Sequence, residues 1–585
     1  MGPRSIAIIG AGPRGTGIVE RLVANAAVLL PGTELAVHVL DPYPPGGGRV
    51  WRCSQSPLMW ANTRADECTI FTDASVDCEG PVVPGPNLAE WAGELARGVL
   101  AWPAGFGRPS EGTAAEAART HGGSYPTRIM VGDYLSWAFW RTVERGAPFV
   151  QVHDHRVRAC GLRDLPDGRQ RVLLSDAPRV LDADVVITAQ GNADTHPGRI
   201  ESELADRAAF HGLTYVPAAS TADIGLDALQ PAEPVLARGL GLAFIDLVTL
   251  LTSGRGGVFT RDDHGSLRYT PSGHEPVIFA GSRRGVPYRS KFRYEPADDL
   301  RALPRHFTGA VEGDRPLDFA ADVWPLISRE LAEAAYRELA IAHPERLSME
   351  PCAFLARLDD IAAHDGQGFT ELIERAVPRP ADRIDVHGSD RPLQGRRFTD
   401  TAALQRWMIG YIAADVERGR DPGHSPHAAV ARAIAAITPP LTELLENGRL
   451  SLEAADLHQI GAFIAFCRFC TSGPPGTRLE ELLALARAGI VRFLGGAVDI
   501  ELEDGMFEAR SRSVSAVVQA RALVEARLPG RARSRTTDPL QRCPHPKRYA
   551  VEPSDLSKPH ANGLFFRQND AVARSVLRGL GGTAR

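Results

Sequence analysis

Gly10, Gly12 and Gly15, in the stretch Gly10-Ala-Gly12-Pro-Arg-Gly15-Thr-Gly17, have the types and spacing of a turn that holds a pyrophosphate. Such a turn needs glycine three times: first for the tight bend, then for close approach of backbone to phosphate, then for close packing of helix on strand. The positioning elements lie on either side. Ser5-Ile-Ala-Ile-Ile9 predicts a strand entering the turn, and an amphipathic helix ending near Asn25 leaves it. A second strand, Leu35-Ala-Val-His-Val-Leu40, ends in Asp41, at the distance downstream expected of an acid on the ribose hydroxyls. Strand, turn, helix and acid together predict a dinucleotide site.

A second glycine turn follows, Pro44-Pro-Gly46-Gly47-Gly48-Arg49-Val-Trp51. In flavoproteins of this layout the chain after the second strand crosses the flavin, so Gly47, Gly48, Arg49 and Trp51 are candidate cofactor contacts. The next stretch, Leu58-Met-Trp60-Ala-Asn62-Thr63-Arg64-Ala-Asp66, is too irregular for a strand and too rich in donors for plain core. It is a candidate wall of an active site, with Asn62 as a hydrogen-bond donor and Arg64 as a carboxylate clamp. Residues 80–122, rich in Pro, Gly and Ala, predict a surface excursion with one short helix. Arg128 precedes a helix whose aromatic residues Tyr134, Trp137 and Trp140 predict core. A guanidinium at a helix start can reach a phosphate or a substrate carboxylate. From Val150 to Val180 the period falls to two around Pro166-Asp-Gly168, predicting a β-ribbon insertion. An apolar strand, residues 183–188, then ends in a small-residue turn containing Gly191.

A second nucleotide unit starts at Pro234-Val-Leu-Ala-Arg238-Gly239-Leu-Gly241. Phe244 stands at the close-packing position, so its helix must sit farther out or its ring must point away. The following strand, Pro276-Val-Ile-Phe-Ala280, ends in Gly281-Ser282-Arg283-Arg284-Gly285. An NAD site would place an acid there. Ser282, Arg283 and Arg284 suit a 2′-phosphate instead, so NADPH is expected over NADH. Residues 300–480 show helical periodicity, most clearly over 326–339 and 404–414.

Composition excludes several classes. The 585 residues exceed one core, and a net charge of −5 with 44% hydrophobic and 23% charged residues offers nothing to nucleic acid. No uninterrupted apolar run of about 18 residues suggests a membrane span, so a cytoplasmic protein with a small-molecule substrate is expected. The eight cysteines follow neither a disulfide nor a zinc spacing. Cys467-Arg-Phe-Cys470 lies in an apolar helix and reads as core. Asp421-Pro-Gly-His424-Ser-Pro-His427 lacks further ligands, and no metal is expected.

The motifs Ile9 to Gly15, Asn62-Thr63 with Thr69-Ile-Phe-Thr-Asp73, Gly239-Leu-Gly-Leu242 with Asp246, Gly281 to Pro287 and Ser472-Gly-Pro-Pro475 resemble a large bacterial, actinobacterial-type family of FAD- and NAD(P)-binding proteins. Its motif layout is similar to that of flavin-dependent N-hydroxylating monooxygenases. The resemblance implies an α/β fold of two Rossmann-like dinucleotide-binding domains, for FAD and NADPH, plus a mainly helical cap. The expected division is an FAD domain over 1–195, an NAD(P)H domain over 196–300, the cap over 301–480, and a return to the FAD domain with a tail over 481–585. The implied reaction is oxygen transfer from a C4a-hydroperoxyflavin to a small amine or amino acid. The Baeyer–Villiger fingerprint F-x-G-x-x-x-H is not met by Phe210-His-Gly-Leu-Thr-Tyr215. Two other readings stay open here: a flavin reductase or dehydrogenase without oxygen transfer, against whose disulfide-reducing form the missing Cys-x4-Cys pair argues, and a non-catalytic FAD-binding scaffold. Substrate identity and self-association are not legible.

Overall fold

A computed structural model describes residues 3–147, 149–191, 193–292, 304–309, 315–386, 388–420, 425–451, 453–530, 535–542, 549–550 and 564–582. The chain divides into two compact units, one formed by residues 1–202 with 529–585, the other by residues 203–528.

The first unit is built on a five-stranded parallel sheet in the order Tyr549–Ala550, Val185–Thr188, Arg4–Ile9, Leu35–Leu40, Val150–His155. Both faces of its central strand are apolar because both are covered. Ile6 and Ile8 join a core with the helices Pro13–Leu29, Arg128–Gly146 and Leu564–Gly582, while Ala7 and Ile9 pack on a three-stranded antiparallel sheet. That sheet is Ala159–Asp164, Gln170–Leu174 and Val180–Ala183. The ribbon expectation is therefore corrected at one end: Val150–His155 is the third parallel strand, paired in register with Leu35–Leu40. Alternating apolar residues suit a half-covered parallel edge as well as a ribbon, so periodicity could not separate them.

The second unit repeats the plan. Its parallel sheet runs Val491–Gly496, Val277–Ser282, Pro234–Arg238, Ala522–Val524, Thr214–Val216, and a three-stranded ribbon, Asp499–Glu503, Met506–Arg510 and Val518–Ala520, precedes Ala522–Val524 as the first unit's ribbon precedes Val185–Thr188. The expected return of 481–585 to the first unit is thus corrected. Residues 491–524 complete the second sheet, and only from residue 529 does the chain rejoin the first unit. The long helical excursion between Val277–Ser282 and Val491–Gly496 hid this pairing. It contains the helices Trp324–Ala342, Pro351–Asp360, Gly366–Ala376, Thr401–Arg418, Pro426–Glu446 and Ala454–Thr471, several of which share a separate core around Ile327, Leu331, Phe354 and Ile434.

Among the described residues Pro426–Glu446 alone is long and apolar enough to cross a membrane by length and composition. Its Val430, Ile434, Ile437 and Leu441 are buried in that helical core. Cys467 and Cys470 are also packed there, and burial pushes both thiols up to about 12. The described cysteines are free. Asp421 to His424 lies outside the described residues.

Three histidines meet on adjacent strands of the first sheet. His38 stacks on His153 at 4.9 Å, and its Nδ1 lies 3.0 Å from His155 Nε2. Burial, then repulsion from the two neighbours, holds His38 down to about 4 from its ordinary 6.5. The unfolded chain binds a proton between these values that the folded one refuses, so the contribution is present above pH 6.5 and lost as pH falls toward 4. We expect melting temperature to drop over this interval, and a His38→Gln variant to show a shallower drop. Equal slopes in parallel thermal melts would remove His38 from the effect.

Candidate active site

Glycine shapes the first turn by contact as well as conformation. Gly10 takes a φ of +108°, and a Cβ there would lie 2.5 Å from the Ala189 carbonyl oxygen, so the turn after the fourth strand abuts it. A Cβ on Gly15 would lie 1.9 Å from the Gly10 carbonyl oxygen, the close helix–strand approach expected of it. Gly12 begins the Pro13–Leu29 helix with no side-chain cap. The second glycine turn lies against it: Gly46 N–H donates to the Ala11 carbonyl at 2.8 Å, and a Cβ on Gly48 would lie 2.9 Å from Gly12 Cα. The result is a strip walled by backbone at an uncapped helix start, which fits a pyrophosphate.

Asp41 braces this strip. Its carboxylate accepts from Ala11 N–H and Tyr43 N–H, each at 2.8 Å. Burial raises its pKa against the opposing pull of those hydrogen bonds. Arg49 is ion-paired to Asp194 at 2.7 Å, three residues beyond Gly191, whose φ is +70°. Trp51 packs on the cluster of Tyr134 and Trp137, and its carbonyl oxygen stands 1.9 Å from where a Gly132 Cβ would be. The Arg128–Gly146 helix therefore lies directly on the second glycine turn.

That helix also carries the polar wall. Trp60 bridges Thr127, Ala61 N–H donates to the Pro126 carbonyl at 2.8 Å, and Arg128 N–H donates to the Met59 carbonyl at 2.9 Å. Arg128, far away in sequence, is thus tied to the segment that carries Asn62 and Arg64. The half-buried Asn62 amide has no hydrogen-bond partner among the described residues. Arg64 pairs with Asp66 at 2.8 Å. Arg128 opens the helix, behind a Thr127 cap whose hydroxyl accepts from Met130 N–H at 3.2 Å.

The second unit rebuilds the turn with other means. Gly239 has a φ of +138°, and a Cβ there would lie 2.3 Å from the Ala526 carbonyl oxygen, as Gly10 lies against Ala189. Gly241 begins the Leu242–Leu251 helix uncapped, with the Tyr288 ring 3.6 Å from the position of its absent Cβ. Phe244, at the position of the missing glycine, is fully buried in the core that also holds Val235, Ala237 and Ile278 of the sheet. Ser282 is turned inward, its hydroxyl accepting from Gly285 N–H at 2.9 Å. Arg283 is exposed, whereas Arg284 pairs with Asp390 at 2.7 Å.

Sequence reasoning missed the supporting acids. Glu525, buried, pairs with Arg238 at the entrance to the second turn, and Asp390 takes Arg284. It also missed that Arg14 is buried in the first unit, over the Phe565 ring at 4.8 Å and bonded to Gln568 and Asn569. Within each unit the partners are separated by 106 or more positions in sequence, beyond any local signal.

Two parallel sheets, each offering a glycine turn and an uncapped helix start, define a two-nucleotide oxidoreductase. The family model for FAD-NAD(P)-binding proteins matches residues 7–193. L-aspartate N-monooxygenase (nitrosuccinate-forming) of Streptomyces davaonensis is 37% identical over 556 residues, covering 92% of this chain and 84% of that protein. Nitrosuccinic acid synthase of Aspergillus oryzae is 36% identical over 548 residues, covering 92% and 80%. Among solved structures, the FAD-bound cadaverine monooxygenase DfoA of Erwinia amylovora aligns with a TM-score of 0.41 at 11% identity, over 100% of this chain and 95% of that one. The chain belongs to the N-monooxygenase family of the Streptomyces and Aspergillus proteins. It is an FAD-dependent, NADPH-consuming enzyme that transfers oxygen to the nitrogen of a small amine or amino acid. The reductase and scaffold readings fall with that membership.

Proposed function

We propose that this enzyme acts on L-aspartate and oxidises its α-amino nitrogen toward nitrosuccinate. The carrying observation is 37% identity to an aspartate-oxidising relative across 92% of the chain. When bound, FAD takes electrons from NADPH and delivers one oxygen atom of O2 to the substrate nitrogen, the other leaving as water. The protein binds and orients. The backbone strip at Gly10, Gly12, Gly15, Gly47 and Gly48, closed by the turn at Gly191, holds the FAD pyrophosphate, and Asp41 keeps both glycine turns in register while facing the ribose. Arg49 and Trp51 hold the chain that crosses the flavin. Asn62 offers its amide to flavin or substrate, and Arg64 and Arg128 supply cations for a substrate with two carboxylates. Gly239 and Gly241 take the NADPH pyrophosphate, with Ser282, Arg283 and Arg284 at the end of the second strand. A cytoplasmic location belongs to this reading, supported by the free thiols of the described cysteines.

The test is NADPH-dependent oxygen uptake by purified protein with a panel of amino acids, with products read by mass spectrometry. L-aspartate should accelerate uptake and yield an N-oxidised product. Acceleration by another amine and not by aspartate would overturn the substrate. In Asn62→Ala, NADPH oxidation should persist while product formed per NADPH falls about tenfold, the loss of one hydrogen bond to a developing charge. Unchanged coupling would remove Asn62 from the site.

A further inference from the structure

The excursion over residues 80–122 comes back to the polar wall. Its short helix Thr113–Ala117 carries Glu116, whose carboxylate takes both donors of a single residue: Oε1 accepts from Thr127 N–H and Oε2 from the Thr127 hydroxyl, each at 2.7 Å. No cation pairs with Glu116 among the described residues. Its charge is used for two charge-assisted hydrogen bonds at one point, which only a carboxylate can accept together. That point is where Trp60 is bridged, two positions before Asn62.

The wall hangs from the stretch that Glu116 grips. Ala65 N–H donates to the Ser124 carbonyl at 2.8 Å and Asp66 N–H to that of Gly122 at 3.1 Å, so with the bonds from Ala61 to Pro126 and from Arg128 to Met59 the backbone on both sides of Asn62 is tied to residues 122–128. The grip is itself anchored. Asp133, buried on the Arg128–Gly146 helix, accepts from Ser110 N–H at 2.9 Å, from the Ser110 hydroxyl at 3.0 Å and from the Thr113 hydroxyl at 2.6 Å, which fixes the start of the short helix. Both ends of this brace thus stand on one long helix. Asp133 also takes the Cys53 thiol at 3.2 Å, two residues beyond Trp51, whereas the Glu116 carboxylate bonds to Thr127 alone among the described residues.

We propose that Glu116 is a positioning residue for oxygen transfer: by fixing Thr127 it sets where the Asn62 amide stands, and so how many of the electrons taken from NADPH end in N-oxidised product rather than in hydrogen peroxide. The wasted turnover is NADPH + H+ + O2 giving NADP+ + H2O2. This rests on the role given above to Asn62 and places part of its control in an excursion that carries no residue of the site.

Product and hydrogen peroxide formed per NADPH, measured on the purified FAD-loaded protein with L-aspartate, test it. In Glu116→Ala, flavin content and the rate of NADPH oxidation should stay near wild type while product per NADPH falls about fivefold and peroxide rises to match, a loss that a shift well under 1 Å at a positioning group can produce. Glu116→Gln can still accept from Thr127 N–H and donate to its hydroxyl, and should recover most of the coupling. Adding Glu116→Ala to Asn62→Ala should cost nothing further, since the two act through one group. Full coupling in Glu116→Ala, loss of flavin in step with product, or a double variant that loses the whole factor again would each overturn the inference while an uncoupled Asn62→Ala keeps its own role. Unchanged coupling in Asn62→Ala would overturn both.

Discussion

A single methyl group added at Gly15 is expected to cost the protein its flavin. In Gly15→Ala the new Cβ would stand 1.9 Å from the Gly10 carbonyl oxygen, far inside contact distance, and the obstacle is backbone. That backbone has nowhere to go. Gly10 holds a φ of +108°, its N–H donates to the Leu40 carbonyl at 2.9 Å, and the Ala189 carbonyl lies against its other side. The Pro13–Leu29 helix must therefore shift outward, carrying its uncapped start away from the pyrophosphate strip. Overpacking of this kind costs about 1–3 kcal/mol, and if it fell wholly on cofactor affinity, FAD would bind about 10- to 100-fold more weakly. The flavin-to-protein ratio after gel filtration measures this directly. Gly410→Ala, in the exposed face of Thr401–Arg418 where nothing lies within 4 Å, is the control and should retain flavin with a slight gain in stability. Full flavin content in Gly15→Ala would mean that the turn is not where FAD binds.

The second large effect is expected from the C-terminal helix. Asp570 is 2% exposed and accepts from Gly80 N–H and Asn25 Nδ2, each at 2.9 Å, with the Arg21 guanidinium 3.6 Å away. Asp570→Ala removes one of the two acids around a fully buried arginine, leaves the buried Gly80 N–H without its acceptor and takes from the Asn25 amide one of its two acceptors, the other being the Arg21 carbonyl. A loss of about 3–5 kcal/mol is expected, as for other broken buried pairs. Asp570→Asn keeps the acceptor oxygen and should recover part of it. Urea unfolding followed by FAD release reads the first unit specifically. A loss below about 1 kcal/mol, the worth of an exposed ion pair, would show that water compensates the site.

The dinucleotide turns were legible because their logic is local. Gly10, Gly12 and Gly15 act on neighbours within a few residues, and Asp41 lies one strand away. Asn62, Arg64 and Arg128 were recognisable as misfit polar residues, but the link from Arg128 to the segment of the other two depends on a bridge between Trp60 and Thr127 that no periodicity announces. Strand assignment failed where two structures share a pattern. Val150–His155 alternates as a ribbon would, yet pairs in parallel. Ala522–Val524, only three residues long, sits inside an apolar run that did not reveal which sheet it joins. The arginines show a different limit. Charge and position marked Arg283 and Arg284 alike, and only the fold reveals that Asp390 has claimed one of them.

The first unit is also discontinuous. Its helix Pro13–Leu29 packs on Leu564–Gly582, and its Gly17 would clash with Asn569 and Phe565 if it carried a Cβ. During synthesis the ribosome therefore delivers the whole second unit before the surface that covers this helix exists. Residues 203–528 hold every strand of their own sheet and can finish folding as they emerge, while the amino-terminal sheet waits with an apolar flank uncovered. The nascent chain thus carries the uncovered flank of its first unit, open to aggregation and chaperone capture, until residues 564–582 emerge.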